Sequence, residues 1–235
     1  SPAPAADTLD ALIARREAFL TAYQDAALAR RYRALVDRVR RAEVAIGSET
    51  LTDAVARQYA RLLAVKDEYE VARLYTDGEF QRALGEQFER WDTIGFHMAP
   101  PLLARRGPDG RPRKMRLGAW LMPAMRVLAA ARRVRGSWLD PFGHTAERGL
   151  ERQLARDYEA LIDEVLAGLS ANKHALALAI ARVPEGIRGY GHVKLANLAS
   201  GRARWRELLD RFHGREVSAG AGRTIPIVAP QAASR

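Results

Sequence analysis

From Thr8 to Ile46 the apolar positions Leu12, Ile13, Phe19, Leu20, Tyr23, Leu28, Tyr32, Leu35, Val36, Val39 and Ile46 recur at spacings of three, four and seven. That is the signature of one face of an α-helix, and it predicts one long helix or a bent pair. Gly47 is the expected stop, because glycine takes the left-handed helix-ending conformation without steric penalty. Thr50-Leu-Thr-Asp53 offers caps for a second helix striped by Leu51, Val55, Tyr59, Leu62, Leu63 and Tyr69. Two amphipathic helices across a tight turn favour an antiparallel hairpin, expected over 8–75.

The pattern then becomes less regular. Asp67-Glu-Tyr-Glu-Val-Ala-Arg-Leu-Tyr75 mixes acids, one Arg and two tyrosines, more polar than a core stripe requires. Thr76 with Glu79 three residues on has the spacing of a capping box. Phe96 to Leu103, with Pro100-Pro101, and Arg111 to Leu117 read as extended runs. Between them, Gly107-Pro-Asp-Gly110 has the residues of a turn, which together predicts a β-hairpin over about 96–118. Helix returns from Trp120 to Arg133, with Trp120, Leu121, Met125 and Leu128 as its expected inner face.

Gly136 to Gly143 reads as a loop. Thr145 should cap the clearest helix of the chain, carrying Leu150, Leu154, Tyr158, Leu161, Ile162, Val165, Leu166 and Leu169 on one face. Ser170 is placed to cap another, running to Val183, and a last helix carries Leu198, Trp205, Leu208, Leu209 and Phe212. The expected fold is mainly α: a multi-helix domain with long amphipathic helices and a small basic β-hairpin insert. It should form one domain over 8–214, with a disordered lead at 1–7 and a flexible tail at 215–235, where Gly, Ala and Pro dominate.

Composition adds bounds. At 235 residues and 48% hydrophobic content, the chain can bury roughly 70% of its surface or more. No apolar run approaches the ~20 residues of a membrane span. The opening Ser1-Pro-Ala-Pro-Ala-Ala6 lacks an initiator Met and the charged-then-apolar order of a secretory signal, as expected of a piece cut from a longer cytoplasmic chain. There is no cysteine, so neither disulfides nor thiolate-held clusters can form here.

The net charge of +10 is local in origin. Residues 105–135 hold ten Arg and Lys side chains against Asp109 alone, leaving 28 of the 38 basic and 27 of the 28 acidic residues elsewhere. A local anion site or an acidic partner surface explains this better than a globally basic nucleic-acid binder.

Candidate chemistry is sparse. The five histidines include no H-x-x-x-H or H-E-x-x-H pair suited to zinc. Ser137 has no nucleophile-elbow context, and Glu68 and Glu70, two apart on a helix, face different directions. What remains is binding. His97, Arg105 and Arg106 flank the paired prolines, with Arg113 on the second extended run. Paired guanidinium donors there suit a phosphate or carboxylate.

His144 and Arg148 stand at a helix N-terminus that favours anions, with Asp140 able instead to lock Arg148 in a buried pair. Arg188-Gly-Tyr-Gly-His192 permits close backbone approach but has no preceding strand for a nucleotide fingerprint. Close helix packing explains its glycines equally well.

Four phrases, DEYEVARLYTDG at 67–78, FHMAPPLLARR at 96–106, LDPFGHTAERGLERQL at 139–154 and IRGYGHVKLANL at 187–198, resemble the C-terminal domain of the long single-chain indolepyruvate ferredoxin oxidoreductases. The resemblance covers roughly residues 9–213. It implies membership of the 2-oxoacid:ferredoxin oxidoreductase superfamily, which decarboxylates 2-oxo acids (aryl-2-oxo acids in this branch) on thiamine diphosphate and magnesium. Electrons then pass through iron–sulfur clusters to ferredoxin, and acyl-CoA is released.

This chain has no cysteine for clusters and no Gly-Asp-Gly stretch followed by an Asn for the magnesium–diphosphate site. The resemblance therefore implies a non-catalytic accessory domain that docks on the catalytic domains of the same enzyme, inactive alone and able to dimerise through the parent. Tyr75, His97, Arg105, Arg106, Arg113, Asp140, His144, Arg148, Arg188, Tyr190, His192 and Lys194 are its candidate ligand or interdomain contacts. The alternatives are a helical module holding CoA phosphates or another anion on 105–135, and, less favoured, a helical nucleic-acid binder.

Overall fold

A computed structural model describes residues 8–87, 96–98, 115–118, 120–187, 189 and 191–215. They are mainly helical and fall into two compact units divided between Leu169 and Ser170.

The first unit begins with α1 (Leu9–Tyr23), α2 (Ala26–Val44) and α3 (Thr50–Leu63), which pack on one another in sequence, with α1 also against α3. The apolar run 8–46 is thus the bent pair. Asp25 makes the break, because its carboxylate accepts the Leu28 N–H at 2.9 Å and starts a new helix. Gly47, with φ of +73°, follows the end of α2 as expected.

The cap of α3 differs from expectation. Thr50 lies inside the helix, and Glu49 at the cap position makes no side-chain capping bond, its carboxylate accepting from Arg40 instead. The buried Glu43, near the end of α2, accepts the N–H groups of Leu51 and Thr52 at 2.8 Å each and the Thr52 hydroxyl at 2.6 Å. A carboxylate suits a helix N-terminus because it meets unpaired amides at the positive end of the helix dipole. It reaches this one from the preceding helix, so no spacing rule along α3 could reveal it.

Helix α4 (Glu68–Thr76) is capped by Asp67, whose Oδ1 accepts the Glu70 N–H at 2.8 Å. Thr76 closes this helix, and its hydroxyl donates to the Ala72 carbonyl at 2.8 Å. The Glu79 side chain of the expected capping box lies outside the described residues. Helix α5 (Glu79–Gln87) follows.

Strands β1 (Phe96–Met98) and β2 (Met115–Leu117) pair antiparallel, with His97 opposite Arg116. The expected Gly107–Gly110 turn and the basic residues up to Lys114 lie outside the described residues.

Helix α6 (Leu121–Ala130) continues as a 3-10 turn over Ala131–Val134 and packs on α4. Ala72, Met125 and Ala129 form a satellite core there, flanked by Tyr75, Phe80, Leu121, Met122 and Leu128. Trp120, expected inside, is 65% exposed. It stands before the helix begins, where the helical period does not fix its direction.

Helix α7 (Ala146–Ala167) is capped by Thr145, which accepts the Arg148 N–H. It packs on α2 and α3. At the centre of the unit, buried Tyr32, Tyr59 and Tyr158 stack in series from α2, α3 and α7, with successive ring centroids 6.1 Å apart. Such offset aromatic contact adds roughly 0.5–1.5 kcal/mol per pair beyond area burial. Two-pronged ion pairs Arg31–Glu159 and Arg38–Asp163 join α2 to α7. They are too exposed to stabilise much, and chiefly select the register of the two helices.

The second unit holds α8 (His174–Arg182) and α9 (Gly191–Phe212), with 3-10 turns at Ala171–Lys173 and Val183–Gly186. Ser170 makes no capping bond to the turn that follows; its hydroxyl lies 2.6 Å from the Asn172 side-chain oxygen. Ile180, Ile187, Leu198, Trp205, Leu208 and Phe212 form this unit's core, and the Trp205 indole donates to the Ile180 carbonyl at 3.0 Å.

Candidate functional site

The polarity of residues 67–78 has a structural reason, because α4 meets the loop 136–143 and the start of α7. Asp67 does more than cap α4. Its two oxygens take Arg135 Nη2 at 2.9 Å and Nε at 2.5 Å, and the same guanidinium donates to the Tyr23 carbonyl at 2.5 Å. The cation lies 3.7 Å from the centroid of the Tyr23 ring and 5.3 Å from that of Tyr69. Only 11% of the Arg135 side chain and 5% of the Asp67 side chain are exposed. One ion pair thus joins the end of α1, the start of α4 and the segment leaving α6. Burial and the nearby Asp67 charge hold the Tyr23 phenol above its ordinary range.

Tyr69 turns to the other side of this junction. Its hydroxyl donates to Asp140 Oδ1 at 2.9 Å and its ring meets Phe142 edge-on, with centroids 5.4 Å apart. Asp140 also accepts the Gly136 N–H at 2.7 Å and the Phe142 N–H at 3.0 Å. Burial pushes the Asp140 carboxyl up. The donors from Gly136, Tyr69, Phe142 and Gly143 outweigh that effect and hold it below the usual carboxylate range.

Gly143 is required here, because a Cβ at that position would sit 2.8 Å from the carboxylate carbon of Asp140. The whole loop is therefore fixed around one buried acid, yet it holds Trp138 83% and Leu139 56% exposed.

Asp140 does not pair with Arg148, contrary to one expectation, because its oxygens are taken by N–H and O–H donors. Arg148 instead meets Glu151 at 2.8 Å and Glu68 at 3.5 Å. Burial disfavours its charge, but these carboxylates and Asp67 outweigh that and raise its proton affinity. The exposed His144 has Nε2 3.3 Å from the Trp138 carbonyl. These contacts engage Arg148 with acids and His144 with backbone, so the two do not form a shared anion grip.

Beside this junction lies a cleft of about 230 Å³. Tyr23, Leu28, Leu62, Leu63, Val65 and Phe142 supply its apolar wall; Arg31, Arg135, Arg148, Arg152 and Arg156 stand among Asp67, Asp140 and Glu151 in the polar part.

Among the expected contacts, Asp140 and Arg148 come together at the cleft, with His144 in the adjoining loop. Tyr75 belongs instead to the satellite core, packed edge-on against Phe80 at 4.9 Å between centroids. His97 has its backbone in β1, and His192 and Lys194 have theirs in α9; their side chains, together with Arg105, Arg106, Arg113, Arg188 and Tyr190, lie outside the described residues. Asp67, Tyr69, Arg135, Glu151 and Arg152 are not among the expected contacts. Along the sequence Asp67 and Tyr69 read only as parts of a polar phrase, and Arg135 as part of the basic excess of 105–135, although it is a buried structural cation.

Among the described residues no group of three His, Asp or Glu side chains gathers to hold a metal, and no helix is long and apolar enough to cross a membrane. The fold and cleft define a helical domain assembled around an ion-paired junction. Residues 9–207 match the model of a family described as a family of unknown function, DUF6537, and the chain belongs to that family. No curated protein and no solved structure matches it.

Proposed function

We propose that this chain is a non-catalytic accessory domain of a cytoplasmic enzyme similar to indolepyruvate ferredoxin oxidoreductase, and that it docks on that enzyme's catalytic domains. The observation that carries the docking reading is the loop 136–143. A large aromatic side chain exposed on a mobile loop gains little from binding, because the loop must first be ordered. Here Asp140, Tyr69 and Gly143 have already ordered it, while Trp138 and Leu139 face solvent. Tryptophan on a preorganised surface is the residue type most often found to dominate an interface.

The partner is named by the resemblance, and two of the four phrases that carry it, 67–78 and 139–154, meet at the base of this loop. The parent's thiamine diphosphate, magnesium, iron–sulfur clusters, CoA site and ferredoxin contact belong to other domains on this reading. A chain without cysteine supplies no thiolate for a cluster.

The test is compositional. The native protein is purified from its source without denaturant, and the material that carries this chain is assayed for iron, acid-labile sulfide and thiamine diphosphate. All three are expected, in one polypeptide or in a tightly held partner. Homogeneous material lacking all three would overturn the proposal.

A further inference from the structure

The arginines around the cleft are not equivalent. Arg135 is held by Asp67, Arg148 by Glu151 and Glu68, and Arg31 by Glu159. Arg152 and Arg156 have no carboxylate partner among the described residues. Arg152 Nη2 donates to the Gly143 carbonyl at 2.8 Å and Arg156 Nη2 to the Gln153 side-chain oxygen at 2.7 Å, leaving the remaining donors of each guanidinium for another acceptor.

The two residues stand one turn apart on α7, so their side chains share a face. The three acids of the lining offer no competition for a ligand's negative charge at that edge. Asp67 and Glu151 are occupied by arginine, and Asp140 by the Gly136 and Phe142 amides and the Tyr69 hydroxyl. Across the cleft, Leu28, Leu62, Leu63 and Val65 present half-buried apolar surface.

We infer that the cleft is a binding site for a small organic anion, with Arg152 and Arg156 holding a carboxylate head and the leucine wall taking a short apolar body. A planar guanidinium fork matches a carboxylate. The volume, about 230 Å³, lies below the roughly 300–1,000 Å³ of drug-sized pockets, which suits a small ligand better than a nucleotide-sized one. This inference rests on Arg152, Arg156 and the leucine wall rather than on Trp138 and Leu139, and does not depend on the docking reading.

The probes are benzoate and hexanoate, with benzyl alcohol as the uncharged counterpart of benzoate and inorganic phosphate as the bodiless anion. Binding is followed by saturation-transfer NMR and calorimetry at constant ionic strength. The carboxylates are expected to bind, with affinity at least about tenfold weaker in Arg152→Gln/Arg156→Gln, a loss of ~1.4 kcal/mol. Arg156→Gln alone keeps the Arg152 bond to Gly143, and should still weaken binding several-fold.

Benzyl alcohol and phosphate should each bind far less well than benzoate. Both arginines are exposed, so the variants should keep the parent's circular dichroism and melting point. Absence of carboxylate binding up to about 20 mM, equal binding by the double variant, or phosphate binding as well as benzoate would each overturn the assignment.

Discussion

Changing Asp67 to Asn tests whether the Asp67–Arg135 pair is the junction that joins α1, α4 and the 136–143 loop. The amide keeps an oxygen able to cap α4 but loses the charge, so the perturbation falls on the ion pair rather than on the helix start. Arg135 is then left with 11% of its side chain exposed and no carboxylate. An uncompensated buried charge of this kind costs about 3–5 kcal/mol. The cation–π contact with Tyr23, at 3.7 Å, is present in both proteins and cancels, but the amide oxygen can still accept the Arg135 Nη2–H as Asp67 Oδ1 does, which offsets about 1 kcal/mol of that.

A net loss of about 2–4 kcal/mol is therefore expected. At roughly 2–4 °C per kcal/mol for a unit of this size, the melting point should fall by about 4–16 °C. Replacing both residues, as Asp67→Asn/Arg135→Met, removes the stranded charge and keeps an apolar body against the two tyrosine rings, so the pair of changes should cost less than Asp67→Asn alone. The assay is urea unfolding of the four proteins, followed by circular dichroism and tryptophan fluorescence. A loss below ~1 kcal/mol for Asp67→Asn, or a double variant equal to the sum of the singles, would refute the reasoning.

Glu43→Gln removes a buried charge that accepts three hydrogen bonds at the start of α3, and should cost about 1.5–3 kcal/mol in urea unfolding. Gly143→Ala forces a methyl group into Asp140 and should cost about 1–3 kcal/mol, with faster hydrogen exchange at the Gly136 and Phe142 amides.

Stability should also depend on pH at both ends. The Asp140 carboxyl is held below its unfolded value of about 3.9, so its contribution is complete above that pH and is lost as pH falls further. Burial raises Tyr23, Tyr32 and Tyr69, so their contribution is complete below about pH 10 and is lost as pH rises beyond it. In an alkaline titration, tyrosinate absorbance from these three should appear only with unfolding.

The helices were legible where apolar period and local capping coincide. Thr145 with the stripe from Leu154 to Val165 is an example, since every determinant lies within a few residues of the helix it shapes. Period and local capping do not reveal a partner that lies elsewhere in the chain or on another element. The α3 cap comes from Glu43 on the preceding helix.

The candidate site divided in the same way. Asp140 and Arg148 were visible as charged residues beside a helix start, but their pairing was not, because the partners of Asp140 are a hydroxyl 71 positions away and local amides. Arg135 reads as surface in a basic run, and only folding sets it against Asp67, 68 residues earlier. The cleft is built by side chains from α1, α2, α3 and α7 as well as the loop, and no single stretch of sequence carries that arrangement.

The docking claim is tested most directly by footprinting Trp138 and Leu139 with hydroxyl radicals, in the isolated chain and in the native assembly. The isolated chain should label strongly at both positions, as their 83% and 56% exposure requires. Strong protection of both is expected in the native assembly, while Val44, also exposed but on α2, serves as a comparison site away from the loop. Equal labelling of Trp138 and Leu139 in the two samples would contradict it.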